Sequence, residues 1–120
     1  MKLKWLFLFL LGMQLGCSRI IYLVDMKNLS GGSVIALDIN DEETIRLQIN
    51  DSEKFPIPGD WVIRVKRSDS VYYYDAYDLP QNLFHPKAIG LKLNAKLNTN
   101  MTLECENGTV LIPKKKGSEP

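Results

Sequence analysis

Apolar and polar residues alternate one by one along much of the chain. Successive side chains of a β-strand point to opposite faces of the sheet, so this alternation predicts strands with one buried and one solvated face. Two further stretches, 20–26 and 71–77, alternate less strictly but are rich in the β-branched and aromatic residues that favour strands. The strictly alternating stretches are 35–39, 45–49, 61–66 and 89–97.

Two turns between apolar stretches predict hairpins. Asn40 and Asp41 separate the first two alternating stretches. Asn107 and Gly108 form the strongest short hairpin signal, which predicts a two-residue type I′ turn. That turn sets the register of its flanking strands, and the register decides which side chains face the core. The residues then expected on the core face are Met101, Leu103, Cys105, Val110 and Ile112.

The pattern contains about eight strands and no convincing helix. Half-polar strands are typical of antiparallel sheets that have one face on the core and one face in solvent. We therefore expect an all-β fold, a small antiparallel β-sandwich of about seven to eight strands that is immunoglobulin-like or related. A small barrel is the alternative architecture.

Two proline-containing connections, 51–60 and 78–87, interrupt the strand pattern. Pro56 and Pro58 are expected to block regular pairing in the first connection, because proline lacks a backbone N–H. Both connections carry apolar residues that a solvated loop does not need. These residues either plug the ends of the sandwich or form an exposed apolar patch that binds a partner. The candidate partner-binding residues are Phe55, Ile57, Leu83 and Phe84.

The four tyrosines between positions 72 and 77 are predicted to lie on both faces of one strand. Tyr72 and Tyr74 share one face, whereas Tyr73 and Tyr77 share the other. One pair is therefore expected in the core and the other half-exposed, where its rings are free to stack on a ligand such as a sugar.

The first sixteen residues form an export signal. Lys2 and Lys4 precede an eleven-residue apolar run that is interrupted only by Gly12 and Gln14. A membrane-spanning helix needs about 20 apolar residues, whereas the apolar region of a signal peptide has about 7–15. The run is thus too short to span a bilayer, and we expect it to be removed from the mature protein.

The end of this signal, Leu15-Gly16-Cys17, resembles the lipobox of bacterial lipoproteins, although Gln14 stands where that family usually has an aliphatic residue. The resemblance implies that Cys17 is lipidated and becomes the first residue of the mature chain. It also implies a location in the cell envelope, and Ser18 in the next position implies the outer membrane, facing the periplasm. The expected organisation is a signal peptide at 1–16, the lipidated cysteine and a short tether at 17–19, a β-sandwich at 20–113 and a disordered basic tail at 114–120.

An ordinary secretory signal offers a different use for Cys17. An exported protein with two cysteines can form a disulfide, and here it would join Cys17 to Cys105 and close a loop of 88 residues. In the chain-entropy model, such a loop stabilises the fold by about 4.5 kcal/mol. The two alternatives exclude each other, because lipidation places the sulfur of Cys17 in a thioether.

Charge and motifs exclude several functional classes. Removal of residues 1–16 takes away Lys2 and Lys4 and leaves 13 basic against 14 acidic residues, a net charge of −1 that gives no footprint for nucleic acid. His85 is the one histidine, and the chain has neither a zinc-binding motif nor a nucleophile elbow. We therefore predict a protein that is not an enzyme and has neither a cofactor nor a metal. An enzyme that uses His85 with Asp75 or Asp78 is the remaining catalytic alternative.

Together these features predict a non-enzymatic, lipid-anchored envelope protein that serves as a membrane-proximal module for protein interaction or assembly. Its expected partners are the membrane, through the lipid on Cys17, and a protein near that membrane. The alternative function is a soluble secreted binding protein or inhibitor with a disulfide between Cys17 and Cys105.

Overall fold

The computed structural model describes residues 21–87 and 90–115. These residues form eleven β-strands and one short 3₁₀ turn, Gln81–Leu83. The strands are β1 (Tyr22–Asn28), β2 (Val34–Leu37), β3 (Glu43–Leu47), β4 (Ser52–Pro56), β5 (Val62–Arg67), β6 (Ser70–Asp75), β7 (Phe84–Lys87), β8 (Gly90–Leu97), β9 (Leu103–Cys105), β10 (Val110–Leu111) and β11 (Lys114–Lys115).

The strands form two open sheets that face each other across one apolar core, which confirms the predicted sandwich. The first sheet has the order β10-β9-β8-β1-β4, and β7 pairs with β8 on the same side as β9. The second sheet has the order β11-β6-β5-β2-β3. Among the described strands, β1 and β8 pair in parallel, and every other pair is antiparallel. The count exceeds the expected seven to eight because several strands are only two to five residues long.

The hairpin predicted around Asn40 and Asp41 is formed by β2 and β3. The Oδ1 of Asp38 accepts hydrogen bonds from the backbone N–H groups of Asn40 and Glu42, at 2.8 and 3.0 Å, so this aspartate fixes the tip of the hairpin. A register shift after Ala36 interrupts the alternation in β2. Ile39 therefore lies beyond the strand, in the hairpin tip, and is exposed.

The predicted register of the hairpin at Asn107 and Gly108 is wrong by one residue. The N–H of Gly108 donates to the carbonyl of Cys105, and the N–H of Cys105 donates to the carbonyl of Thr109. This is a three-residue loop in which Gly108 takes a left-handed conformation (φ 86°), rather than a two-residue type I′ turn. Val110 consequently pairs with Glu104.

The one-residue shift moves one strand of this hairpin to the opposite face, because side chains alternate with a period of two. Met101, Leu103 and Cys105 are buried as predicted, whereas Val110 and Ile112 are exposed. The Oδ1 of Asn107 accepts the N–H of Thr109 at 3.0 Å, a local bond that stabilises the longer loop.

The two proline-containing connections are more regular than expected. The connection 51–60 contains β4, and the connection 78–87 contains the 3₁₀ turn and β7. Pro56 ends β4, which lies at the edge of the first sheet, and Pro86 lies in β7, which pairs only with β8. Proline is tolerated on an edge strand because no neighbouring strand needs its N–H.

The first two residues of the predicted basic tail belong to the second sheet. Lys114 and Lys115 form β11, which pairs with Tyr73 and Tyr72 of β6 at the edge of the second sheet. Residues 116–120 lie outside the described residues, as does the whole stretch 1–20 with its predicted signal peptide, lipidated Cys17 and tether.

The two ends of the sandwich are named here by their loops. The N-terminal end holds Ile21 and the loops 57–61 and 76–80, which are joined by the hydrogen bond from Ala76 N–H to the carbonyl of Trp61. The opposite end holds the loops 29–33, 48–51 and 98–102.

The opposite end is closed by the side chain of Asn28. Its Nδ2 donates to the carbonyl groups of Gly32 (2.8 Å), Leu47 (3.2 Å) and Gln48 (3.2 Å). Its Oδ1 accepts from both the N–H and the hydroxyl of Ser30, at 3.1 and 2.6 Å. Asn28 is fully buried, so one amide connects the end of β1 to both the β1–β2 loop and the β3–β4 turn.

Candidate functional site

The four residues predicted to contact a partner are all buried in the core. Phe55 and Phe84 point inward from regular strands, where Phe55 pairs with Val24 and Phe84 pairs with Leu93. Ile57 and Leu83 belong to the same apolar core. The prediction that they are exposed is wrong, because Phe55 and Phe84 face inward from β4 and β7. Ile57, just after β4, and Leu83, in the 3₁₀ turn, are buried as well. This burial agrees with the other interpretation, that these residues plug the sandwich.

Three aromatic rings close the N-terminal end around one of these residues. The ring of Tyr22 lies 4.6 Å from that of Trp61 and 5.3 Å from that of Phe84, measured between ring centroids, and Trp61 and Phe84 are 6.0 Å apart. All three pairs have edge-to-face geometry, in which each pair adds about 0.5–1.5 kcal/mol beyond its buried area. The sequence did not predict this cluster, because its members come from three separate stretches.

Trp61 holds an uncommon backbone conformation within this cluster. Its φ is 62°, in the left-handed region that a bulky residue seldom adopts. The N–H of Trp61 donates to the carbonyl of Pro58 at 2.9 Å, and its carbonyl accepts the N–H of Ala76 at 2.9 Å. These two bonds and the ring contacts offset the strain and fix the loop 57–61 against the loop 76–80.

The start of β1 is fixed to the sheet beside the aromatic cluster. The carbonyl of Ile21 accepts the N–H of Leu91 at 2.9 Å. A Cβ atom on Gly90 would lie 2.1 Å from that carbonyl oxygen, so only glycine allows this close approach. The sheet therefore holds the chain at Ile21, directly before β1.

Apolar surface is exposed around this same end. Ile21 is 45% exposed and Tyr77 is 72% exposed, although both are large apolar residues. Between Ile21 and Trp61 lies a groove of about 320 Å³ that no charged residue lines. Its lining residues are Ile21, Tyr22, Pro56, Ile57, Pro58, Gly59 and Trp61.

An ion-paired arginine lies next to this apolar surface. The Nη2 of Arg64 is 2.7 Å from Oδ2 of Asp60, and its Nε is 3.4 Å from Oδ1 of Asp41. The hydrogen bond from Arg64 holds the pKa of Asp60 below its usual value, and the same bond raises the pKa of Arg64. The guanidinium also lies over the ring of Tyr73, 5.6 Å from its centroid.

The tyrosines divide between the faces as predicted. Tyr74 is fully buried and donates from its hydroxyl to the carbonyl of Met101 at 2.6 Å, and Tyr72 packs against the core beside it. Burial raises the pKa of Tyr74 well above its usual value. Tyr73 and Tyr77 point away from the core, but Tyr73 is occupied by Arg64. Tyr77 is thus the one of these four that is left largely exposed.

The outer face of the first sheet carries a second candidate site. The Nε2 of His85 lies 2.6 Å from Oε1 of Glu106, and the same oxygen accepts the Nδ2 of Asn94 at 3.1 Å. The hydrogen bond with His85 lowers the pKa of Glu106. Nearby, Lys92 pairs with Asp25 at 3.5 Å. Asp25, Asn94 and Glu106 also line a shallow polar cleft of about 400 Å³ on this face.

The structure gives His85 a partner that the sequence prediction missed. The catalytic alternative joined His85 to Asp75 or Asp78, but the carboxylate at hydrogen-bonding distance belongs to Glu106. Two pairings along β8 bring them together, because β7 pairs with its first half and β9 with its second half. Correct strand pairing was therefore the signal that could have identified Glu106.

Cys105 faces the core, as predicted. It is 2% exposed, and desolvation, with the nearby carboxylates of Glu104 and Glu106, raises the pKa of its thiol to about 11. A buried thiol with such a pKa is protonated at neutral pH, and the thiolate is the reactive form. Cys105 is therefore an inert apolar residue of the core.

Within residues 21–87 and 90–115, no three histidine, cysteine or acidic side chains lie close enough together to hold a metal ion. The same described residues contain no helix with the length and apolar character needed to cross a membrane. In comparisons with known proteins, no family model, curated protein or solved structure matches the chain.

Proposed function

We propose that the protein is a non-enzymatic, lipid-anchored module of the bacterial cell envelope that binds a membrane-proximal protein partner. In this proposal residues 1–16 direct export, and Cys17 carries the lipid. The observation that carries the proposal is the burial of Cys105, because it removes the thiol that Cys17 would otherwise pair with.

The geometry of the first sheet makes that pairing unfavourable. Cys105 pairs with Ala95, which lies beside Met26 of β1. At about 3.3 Å per residue along β1 and 4.8 Å between strands, the Cα of Cys105 is roughly 19 Å from that of Ile21. A disulfide requires two Cα atoms within about 7 Å, and the four residue-to-residue steps from Cys17 to Ile21 span at most about 14 Å.

Such a disulfide would therefore need a nearly fully extended segment that runs back along the sheet and enters the core. The thiol of Cys105 points to the inner face and is 2% exposed, so the segment would have to displace core side chains. Lipidation of Cys17 requires neither a segment extended along the sheet nor the displacement of core side chains. This difference supports the lipoprotein over the soluble protein with a disulfide.

The short tether supports the membrane-proximal part of the proposal. With Ile21 bound to β8, about 14 Å of chain separates the lipidated residue from the ordered domain. Two or more acyl chains hold a protein stably in a bilayer, whereas one chain gives only reversible binding. An anchor of this type would keep the domain at the membrane, so its partner must reach that surface.

The outer face of the first sheet is the surface that best fits a protein partner. It presents both signs of charge, including Lys27, Lys96 and Glu104 around the polar cleft. Complementary charges across an interface fix register and exclude wrong partners. The inert Cys105 supports binding over catalysis for this domain.

The mass of the intact mature protein, purified from its bacterial host, tests the proposal. We expect cleavage before Cys17 and an added diacylglyceryl group, and recovery of the protein in the membrane fraction. Cys17→Ala should abolish both the added mass and the membrane fractionation. Cys105→Ala is the matched control and should retain both.

A different result identifies the alternative. A mass two hydrogens lower than that of the reduced chain, with no lipid, would show the disulfide between Cys17 and Cys105 and overturn the lipoprotein. In that case both cysteine variants would lose the disulfide and behave alike.

A further inference from the structure

We propose that the N-terminal end of the sandwich lies on the lipid bilayer, with Ile21, Trp61 and Tyr77 in contact with its interfacial region. This inference rests on the proposed lipid anchor at Cys17 and adds the orientation of the domain. The occupant of the apolar groove at this end is thus a lipid surface with no net charge.

The length of chain outside the sheet supports this orientation. Ile21 is bound to Leu91 and closely packed against Gly90, so the sheet holds the chain at this residue. Only three residues, 18–20, separate it from Cys17. Since four residue-to-residue steps span at most about 14 Å, an anchored Cys17 brings this end to the membrane surface.

The chemistry of the end fits that environment. Tryptophan and tyrosine favour the boundary between headgroups and hydrocarbon, because their rings are apolar and their N–H or O–H group is polar. Here Trp61 lines the uncharged groove, and Tyr77 follows Ala76, whose N–H is bound to Trp61. The side chains of Ile21 and Tyr77 are exposed, so contact with lipid would bury them.

The acidic residues at the tip of the β2–β3 hairpin determine which type of lipid this end contacts best. Glu42 lies near the same end, and Asp41 and Asp60 are partly neutralised there by Arg64. Anionic lipids produce a negative surface potential that repels such side chains. The proposed contact is therefore strongest on zwitterionic lipid and weakens as anionic lipid is added.

Trp61 is a native probe for this contact, because it is the one tryptophan of residues 17–120. The lipidated full mature protein is incorporated into phosphatidylcholine vesicles that contain lipids brominated near the headgroup. We expect these lipids to reduce the Trp61 fluorescence by about half or more relative to unlabelled vesicles. An anchored protein whose fluorescence falls by less than about a tenth would overturn the proposed orientation.

Two surface variants with a matched control separate lipid contact from mere proximity. Ile21→Ser combined with Tyr77→Ser removes exposed apolar surface and should reduce the quenching at least twofold. Ile49→Ser combined with Val110→Ser removes two exposed apolar side chains away from this end, because Ile49 lies in the loop 48–51 and Val110 pairs with Glu104 of β9. This control should leave the quenching unchanged. Equal quenching in both double variants would contradict the assigned residues.

The same preparations distinguish failure of this inference from failure of the anchor. Intact mass and flotation with the vesicles report lipidation, whereas quenching reports orientation. A lipidated, floating protein without quenching retains the anchor and overturns only the orientation. Replacement of a third of the phosphatidylcholine by phosphatidylglycerol should lower the quenching, and an increase would contradict the role assigned to the acidic tip.

Discussion

The two ends of the sandwich are closed by different interactions. At the opposite end, the buried amide of Asn28 makes five hydrogen bonds, and Arg67 donates to the carbonyl of Ser30 at 3.1 Å. At the N-terminal end, the rings of Tyr22, Trp61 and Phe84 pack edge to face. One end is thus closed by directional polar contacts and the other by aromatic packing.

The two ends also differ in how much exposed apolar surface they offer to another molecule. Hydrogen bonds to Asn28 satisfy backbone groups of two chain segments, 30–32 and 47–48. Every buried side-chain polar atom among the described residues has a partner. The N-terminal end instead leaves Ile21 and Tyr77 exposed beside an uncharged groove. An end with unsatisfied apolar surface is the better candidate for contact with another molecule.

The largest effect is expected from Asn28→Ala at the opposite end. The substitution removes five hydrogen bonds and leaves carbonyl groups of the β1–β2 loop and the β3–β4 turn without their donor. A buried polar group without a partner costs about 1–3 kcal/mol, so we expect the free energy of unfolding to fall by about 3 kcal/mol or more. Urea unfolding followed by circular dichroism measures this change.

Asn100→Ala is the matched control for that prediction. Asn100 is also a turn asparagine at the opposite end, but it is exposed, and its Oδ1 accepts only from Thr102. We expect a loss of about 1 kcal/mol or less. Similar losses in the two variants would show that the buried amide does not hold this end together.

The sequence predicted the sandwich because its strands are half polar. Alternation of apolar and polar residues along a strand indicates directly which face is buried. The sequence did not predict the roles of residues whose neighbours depend on strand pairing. Asn28 looks like an ordinary polar residue at the end of a strand, and Glu106 looks like part of a turn. Their partners become visible only once β4 is aligned with β1, and β7 and β9 are aligned with β8.

The misplaced core residues have equally specific causes. Phe55 and Phe84 were expected in loops because prolines lie near them, but an edge strand accepts proline, and both rings turn inward. Val110 was placed in the core by a two-residue turn, whereas Gly108 closes a three-residue loop. A single local choice of turn therefore reverses the faces of a strand.

The second-largest loss of stability is expected from Gly90→Ala, which disturbs the attachment of Ile21 at the N-terminal end. Gly90→Ala places a methyl group 2.1 Å from the carbonyl oxygen of Ile21, so either β1 shifts or its first hydrogen bond breaks. We expect a loss of about 2 kcal/mol, as for overpacking in a well-packed site. Gly59→Ala is the matched control, because its Cβ meets no atom within 4 Å, and it should be nearly neutral. An equal effect in both variants would contradict the close approach.

A smaller loss of stability is expected from Tyr74→Phe. This variant tests a single hydrogen bond in the core, for comparison with the changes at the two ends. The variant keeps the ring and removes only the 2.6 Å hydrogen bond to the carbonyl of Met101. Since that carbonyl then lacks its donor, the free energy of unfolding should fall by about 1.5 kcal/mol. Tyr73→Phe keeps the ring under Arg64 and should change stability by less than about 0.5 kcal/mol. Thermal and urea unfolding measure both values.

The smallest effect is a pH dependence at the N-terminal end. Because the hydrogen bond from Arg64 lowers the pKa of Asp60 below its usual 3.8, the folded state favours the carboxylate. This contribution is present above that pH and is lost as the pH falls through the lower folded pKa. Exposed ion pairs contribute about 0.2–1 kcal/mol, so the free energy of unfolding of wild type should exceed that of Asp60→Asn by a few tenths of a kcal/mol at pH 6 and by less at pH 2.

Asp69→Asn is the control for this titration. Asp69 is exposed in the turn between β5 and β6, and the structure shows no ion pair for it among the described residues. Its free energy of unfolding at pH 6 should be close to that of wild type, because no ion pair is lost. The opposite result is a difference in the free energy of unfolding between wild type and Asp60→Asn that is the same at pH 6 and pH 2. In that case the ion pair between Arg64 and Asp60 does not stabilise the N-terminal end, and aromatic packing closes it without that pair.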